Sequence, residues 1–155
     1  MKIFLKRDIS TSDSLFTVFD ELCKEKYFVT RSKNTIRIVD LSDNVVMKIK
    51  RMPLISVNAY SLIVSGKSVR LIINPNDRLY YYGLPWHIRG ELMTKSFDII
   101  DADNSLVATH CERFSKLGDG YELNIRGEDC ELFCIGTAVC VNLTQRVKQP
   151  KLQTV

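Results

Sequence analysis

The sequence predicts a mainly β domain, a barrel or a sandwich, that encloses one helix close to its C-terminus. Three observations lead to this fold class. Short segments rich in β-branched and aromatic residues alternate with turn residues. One unit of the sequence recurs at an offset of 61 residues. A wholly apolar segment follows the last of the strand-like segments.

Twelve segments have the composition and partial period-two alternation of strands. Because no helical pattern separates most of them, they favour a barrel or a sandwich over an alternating α/β sheet. The predicted strands are Lys2–Lys6, Leu15–Phe19, Lys26–Arg31, Thr35–Val39, Val45–Lys50, Val57–Val64, Ser68–Ile73, Leu79–Tyr82, Trp86–Arg89, Ser96–Ile100, Leu106–Cys111 and Tyr121–Ile125.

The internal repeat runs without gaps from residue 36 to residue 66 and again from residue 97 to residue 127. Ile36–Asp40 matches Phe97–Asp101, and Tyr60–Val64 matches Tyr121–Ile125. Two copies of a long unit indicate a closed domain of two halves rather than a solenoid. The alternative is that any two β-meanders look alike.

Residues 12–26 are ambiguous at this level. Leu15, Phe16, Phe19, Leu22 and Cys23 recur at helical spacing behind Ser12, a suitable N-cap. A hairpin that turns at Asp20 and Glu21 is the alternative.

The apolar segment predicts a helix over about residues 128–145. Leu132–Val141 is apolar on all sides, acidic residues precede it, and basic residues follow it, as the helix macrodipole favours. A helix without a polar face must be surrounded by protein. A buried strand is the alternative, since Ile135, Val139 and Val141 are β-branched.

Length and composition indicate a single ordinary domain. The chain has 155 residues, 45% of them hydrophobic and 26% charged, with a formal net charge of +4. These values argue against disorder, repeat arrays and a dedicated nucleic-acid binder. With no signal peptide in view and no apolar run of about 20 residues, the expected location is cytoplasmic, without a transmembrane segment.

The sequence offers little for catalysis. It contains no phosphate-binding glycine loop, nucleophile elbow or HExxH motif. Cys130, Cys134 and Cys140 lack zinc-knuckle spacing and are expected to be reduced, buried side chains. We therefore expect no metal, cofactor or catalytic residue. A pocket around Trp86, His87 and Asp119 is the remaining hypothesis for an enzyme.

The mild net charge hides a strong imbalance along the chain. Residues 24–70 contain ten basic and three acidic side chains, a net charge of +7, whereas the remainder carries −3. Such a cluster suits a phosphate or an anionic head group, and a merely solvated basic face is the alternative. The candidate anion-binding residues are Lys48, Lys50, Arg51, Arg37 and Lys33.

Three stretches of the chain resemble a known family. Leu84–Gly90 (Leu-Pro-Trp-His-Ile-Arg-Gly), Phe97–Asp101 and Gly118–Leu123 are similar to segments of the LURP-one-related, or YxjI-like, proteins of the Tubby C-terminal-like superfamily. The resemblance covers about residues 3–143. It implies a closed twelve-stranded barrel of two halves around a hydrophobic C-terminal helix, and a hairpin in place of a helix within residues 12–26. We accordingly expect one domain over residues 1–147 and a polar tail over 148–155.

The resemblance also sets the expected function. Tubby domains bind phosphoinositide head groups, so the leading hypothesis is a non-enzymatic module that binds anionic phospholipid or another phosphate-bearing ligand, located in the cytoplasm or peripherally at a membrane. The alternative is a structural or regulatory domain that binds a protein partner. Nucleic acid is disfavoured, because Tyr80, Tyr81 and Tyr82 lie outside the basic segment and alternate between strand faces.

Overall fold

The computed structural model describes residues 1–8, 11–53, 57–74, 76, 78–115 and 118–144. Twelve strands and one helix account for most of these residues. They are β1 (Lys2–Arg7), β2 (Ser14–Phe19), β3 (Glu25–Ser32), β4 (Thr35–Asp40), β5 (Val45–Met52), β6 (Asn58–Val64), β7 (Lys67–Ile73), β8 (Leu79–Tyr82), β9 (His87–Glu91), β10 (Ser96–Ile100), β11 (Leu106–Ser115), β12 (Gly118–Ile125) and α1 (Glu131–Leu143).

The strands form one closed antiparallel barrel. Each strand pairs with its neighbour in sequence, and β1 pairs with β12 to close the sheet. The N-terminal amino group of Met1 donates to the carbonyl of Ile125 across this closure, at 2.8 Å. The predicted fold class and the twelve predicted strands are thereby confirmed. The predicted tail over 148–155, like the domain boundary at 147, lies outside the described residues.

The ambiguous segment is a hairpin. β2 and β3 pair antiparallel, and they are joined by a turn in which Asp20 Oδ1 accepts hydrogen bonds from the backbone N–H groups of Leu22 and Lys24. Cys23 takes a positive φ of 61° in this turn. The helical spacing misled because Leu22 and Cys23, which complete it, lie exposed in the turn.

The C-terminal helix passes through the barrel. A 3-10 turn over Glu128–Cys130 leads into α1, so the helix is slightly shorter than the predicted 128–145. Its nine consecutive residues Cys134–Asn142 are all buried. A Cβ atom at Gly136 would lie 2.8 Å from the sulfur of Met47, so glycine permits the close approach of α1 to β5. The expected burial of Cys130, Cys134 and Cys140 is confirmed.

The two halves of the barrel share local backbone details at equivalent positions. β5 carries an extra residue, Val46, opposite Ile38 and Val39, and β11 carries one, Val107, opposite Ile99 and Ile100, 61 residues later. The turns that follow use the same two backbone hydrogen bonds, Asp40 with Asn44 and Asp43, and Asp101 with Ser105 and Asn104. The two copies of the predicted repeat thus have the same local backbone, although the turn at Asp20 in the β2–β3 hairpin uses the same pair of bonds. We call β1–β6 the first half and β7–β12 the second half.

The direction of α1 distinguishes the two ends of the barrel. At the entry end, Ile125 leads through residues 126–130 into the helix; at the exit end lie Leu143 and the C-cap Thr144. Since antiparallel strands alternate in direction, the turns after β2, β4 and β10 lie at the entry end, and those after β3, β5 and β9 lie at the exit end.

Candidate anion-binding site

The five predicted basic residues do not form one cluster. Arg37, Lys48 and Lys50 lie on the outer face of the barrel, where Arg37 and Lys48 are directly opposite each other in the pairing of β4 with β5. Side chains at such positions have Cβ atoms roughly 5 Å apart. Arg70 extends the group, because it pairs with Ser61, which in turn pairs with Lys50. We call Arg37, Lys48, Lys50 and Arg70 the outer basic face.

Arg51 belongs to a different surface. Its predecessor Lys50 points outward, and successive strand residues alternate, so Arg51 points to the inner side at the exit end of β5. Its Nη2 donates to Asn58 Oδ1 at 2.9 Å, which fixes the guanidinium against the first residue of β6. Lys48 and Lys50 therefore share the outer face, whereas Arg51, the next residue along the strand, lies on the opposite side.

Three cations surround a concavity at the exit end. Arg31 at the end of β3, Lys33 in the following turn, and Arg51 line a cavity of about 580 Å³, which we call the exit cavity. Its described lining contains no acidic residue. Within the described part of the chain, none of the three cations forms an ion pair with a carboxylate.

Arg31 was not among the predicted site residues. Its inward orientation follows from alternation with Val29, which is fully buried two positions earlier on the same face. The available signal was a basic residue two positions after a buried residue of the same strand, which places it on the inner face. It could be used only once the strand boundaries and the inner face were known.

The floor of the exit cavity joins the barrel to the helix. Tyr60 of β6 donates from its hydroxyl to Thr144 Oγ1 at 3.1 Å, because the Thr144 hydroxyl donates its own hydrogen to the carbonyl of Cys140 at 2.6 Å. Burial raises the pKa of the Tyr60 phenol, while the charges of Arg51 and Arg31 act in the opposite direction. The positive potential of both guanidinium groups thus reaches the floor of the cavity.

The entry end handles charge differently. Glu131 at the start of α1 is 5% exposed, and it is paired with Lys26 Nζ and with the hydroxyl of Tyr27. Burial and the nearby Glu131 carboxylate raise the pKa of Tyr27 to about 12. The buried carboxylate thus forms an ion pair within the protein, whereas the cations of the exit cavity form no ion pair among the described residues.

The residues of the enzyme hypothesis do not meet. His87 pairs with Ile100 of β10, which in turn pairs with Leu106 of β11. Asp119 pairs with Phe114, which lies eight residues further along β11. This separation corresponds to about 25 Å along the strand. Trp86 packs edge-on against Tyr81, so it belongs to the packing at the entry end. The pocket proposed around these three residues is therefore wrong.

The cysteines and histidines also give no catalytic arrangement. Neighbours in β11, His110 is buried and Cys111 is half-buried, as expected for opposite strand faces. Burial raises the pKa of the Cys134 and Cys140 thiols, which disfavours their reactive thiolate forms. Among the described residues, no three His, Cys, Asp or Glu side chains are placed to hold a metal ion, and no helix has the length and apolarity to cross a membrane.

Comparisons with known proteins agree with this architecture. The sequence model of the LURP-one-related family matches residues 1–142. The protein YxjI of Bacillus subtilis (strain 168), described as uncharacterized, is 20% identical over 151 residues, which cover 92% of this chain and 93% of YxjI. An X-ray structure of an Arabidopsis thaliana protein superposes with a TM-score of 0.61 over 91% of this chain and 88% of that one; at 9% identity, the likeness is one of fold. This Tubby-like fold is consistent with a non-enzymatic binding domain, and the chain belongs to the LURP-one-related family.

Proposed function

We propose that the protein is a cytoplasmic binding module that associates peripherally with anionic phospholipid head groups. The observation that carries this proposal is a basic surface on β3–β7, in which the outer basic face continues at Lys50 and Arg51 around the rim into the exit cavity. Within the described residues, no carboxylate forms an ion pair with a member of this surface.

The magnitude of the attraction is sufficient for reversible association. Each Lys or Arg near an anionic membrane contributes about 1 kcal/mol, and the effect decays within a Debye length. The four residues of the outer basic face together therefore supply about 4 kcal/mol, which corresponds to a millimolar interaction. Such an association should be sensitive to salt and to the content of anionic lipid.

The test is co-sedimentation with phosphatidylcholine vesicles that contain increasing fractions of phosphatidylserine. We expect the bound fraction to rise with phosphatidylserine and to collapse in 0.5 M NaCl. The double variant Lys48→Gln, Lys50→Gln should bind about 30-fold more weakly, from the loss of about 2 kcal/mol.

A matched control has the same loss of charge elsewhere. Lys2 and Lys24 are exposed and lie outside the outer basic face, so the double variant Lys2→Gln, Lys24→Gln should bind nearly as well as the parent. Sedimentation that ignores lipid charge, or an equal loss in both double variants, would argue against the proposal.

A second candidate function, binding of a protein partner, is favoured by the β8–β9 seam. Tyr80 and His87 form the single residue pair that joins these strands among the described residues, whereas the corresponding β2–β3 seam has five. A cavity of about 510 Å³ opens beside it, with Met93 exposed at its rim. An extended peptide could pair with the incompletely bonded edge of β9. Partner capture that is lost on Ile88→Pro but retained in Lys48→Gln, Lys50→Gln would support this function.

A further inference from the structure

The exit cavity has the size and composition of a ligand pocket rather than of a packing defect. Its volume of about 580 Å³ lies within the usual range for small-molecule sites. The cations Arg31, Lys33 and Arg51 occupy its rim, and the apolar side chains of Ile36 and Leu143 form part of its wall. The pocket therefore combines a positively charged rim, which favours an anion, with an apolar wall that can contact the hydrocarbon part of a ligand.

The helix end does not neutralise these cations. α1 points its C-terminus at this end of the barrel, and a helix C-terminus carries the equivalent of about half a negative charge. Three positive side chains outweigh it several-fold. In addition, the carbonyl of Cys140 is already bonded to both the amide and the hydroxyl of Thr144. The net field in the cavity is positive.

The guanidinium groups suit one class of anion best. Arginine presents a planar fork that matches two oxygens of a phosphate, and charge-assisted bonds of this kind are about twice as strong as neutral ones. Arg51 is held in place by its bond to Asn58, and the backbone amide of Arg31 is held by the carbonyl of Asp13 at 2.7 Å. A terminal phosphate offers three oxygens and close to two negative charges to these three cations.

The second half shows that the fold itself does not need this arrangement. The strand register makes Gly90 the counterpart of Arg31, and Glu112 the counterpart of Arg51. There the inner position corresponding to Ile49 is His110, stacked between Phe97 and Tyr121. We call the exit end of each half its mouth. The second-half mouth has neither arginine, and its cation Lys95 lies over the Tyr121 ring at 5.3 Å. The barrel thus closes around the same helix without Arg31 and Arg51, which have no structural role that the repeat requires.

We propose that the exit cavity binds a phosphate monoester, with the phosphate between Arg31, Lys33 and Arg51 and the esterified carbon group against Ile36 and Leu143. This inference rests on the proposed function for its ligand chemistry and assigns that chemistry to one site. The phosphate is that of a lipid such as phosphatidic acid or that of a soluble ester such as glycerol 3-phosphate.

Calorimetric titration with glycerol 3-phosphate and with short-chain phosphatidic acid distinguishes the two sources. In either case, Arg31→Met and Arg51→Met should each lower the affinity by at least tenfold, because each removes a charge-assisted contact but keeps an aliphatic side chain. Arg78→Met is the matched control, since Arg78 is exposed in the exit-end connection after β7 and lies outside the exit cavity. Equal losses in Arg78→Met would overturn the proposal.

Mapping on the unaltered protein keeps the proposal testable if a variant fails to fold. Amide resonances of Asn34, Tyr60 and Thr144 should shift when glycerol 3-phosphate or short-chain phosphatidic acid is added, whereas those of Glu112 and Tyr121 should not. No shift with either probe at 10 mM, or a uniform shift at both mouths, would exclude the site.

The outcomes separate this inference from the proposed function. If Lys48→Gln, Lys50→Gln weakens vesicle binding while neither probe enters the cavity, membrane association stands and the cavity site falls. If glycerol 3-phosphate binds through Arg31 and Arg51 while vesicles do not bind, the cavity site stands with a soluble ligand and membrane association falls.

Discussion

The two halves of the barrel have the same backbone at their mouths but carry chemically different side chains there. β4–β5 and β10–β11 share a bulge and a turn with equivalent hydrogen bonds. Yet the inner positions towards the exit end are Ile49 and Arg51 in the first half and His110 and Glu112 in the second. A duplicated backbone therefore constrains where side chains point far more than which chemistry they carry.

The second-half mouth is filled by the side chain of His110, and both nitrogens of its ring are hydrogen-bonded. His110 is 1% exposed, and its ring lies 4.5 Å from that of Phe97 and 5.4 Å from that of Tyr121. Nδ1 donates to the carbonyl of Lys95 at 2.7 Å, and Nε2 accepts from Asn142 Nδ2 at 3.1 Å. The acceptor role of Nε2 requires the neutral imidazole. The sealed mouth thus stabilises the barrel, whereas the open mouth of the first half provides the binding cavity.

The largest expected effect is that of His110→Ala. It removes a buried ring from between two aromatic neighbours and one of the two hydrogen bonds of Asn142 Nδ2, so the free energy of unfolding should fall by about 3–5 kcal/mol. Ile49→Ala, at the equivalent inner position, should cost less, about 2–4 kcal/mol. Urea unfolding of both variants measures the difference. A smaller loss for His110→Ala would contradict the view that the second-half mouth is the more tightly packed.

The pH dependence of stability should originate in the second half. Burial lowers the pKa of His110 from 6.5 to about 4, so below pH 6.5 the unfolded chain binds a proton that the folded barrel excludes. The free energy of unfolding should therefore fall by about 3 kcal/mol between pH 7 and pH 4. His110→Phe, with His87 still present, should abolish this slope. Its persistence in that variant would assign the slope to other groups. Asp20, Asp40 and Asp103, whose hydrogen bonds lower their pKa values from 3.8, contribute only below about pH 5.

A smaller difference should separate two tyrosines that bond to the helix. Tyr81 of the second half donates to Thr137 Oγ1 at 2.8 Å within the barrel, whereas Tyr60 of the first half bonds Thr144 beside the open exit cavity. Tyr81→Phe leaves a buried threonine oxygen with one bond fewer and should cost about 1–2 kcal/mol. Tyr60→Phe should cost about half as much, because water in the cavity can replace the phenol. Thermal unfolding of both variants tests this order, and a reversed order would mean that the exit cavity is dry.

The smallest expected effect is that of Arg51→Glu, which gives the first half the acidic residue that the second half has at the equivalent position, Glu112. Arg51→Glu replaces repulsion of Arg31 and Lys33 by attraction and should raise the free energy of unfolding by about 0.5 kcal/mol at 10 mM salt, with little change at 0.5 M. The same variant should lose binding of glycerol 3-phosphate. A destabilised Arg51→Glu at low salt would show that the three cations do not repel one another across the cavity.

The sequence predicted the scaffold better than the site. Strand composition, the offset of 61 residues and the apolar helix are local or periodic signals. Such signals can be read from the sequence without knowledge of how the strands pair. The site depends on which face Arg51 presents and on which inner positions fall at a mouth. Those properties are set by the register of β5 against β6 and by strand boundaries, so one residue of error moves a side chain to the opposite face.

Two residues illustrate what the pattern could not provide. Arg31 was counted in the basic segment but not singled out, since its place beside Arg51 arises from the pairing of β3 with β4 and of β4 with β5. Alternation along β11 places His110 and Cys111 on opposite faces of the strand. The stacking of His110 on Phe97 and Tyr121 follows from contacts across three strands and has no local signature.

The course of the chain also sets the order in which the molecule can be built. The sheet closes only when β1 meets β12, and the core is filled only by the helix that follows. Contacts between residues as far apart as Met1 and Ile125 carry a large loop-closure entropy and slow the folding of β proteins. During translation, the first strands therefore remain incompletely packed until residue 143 has left the ribosome, and their unpaired edges stay open to pairing with other chains in this interval.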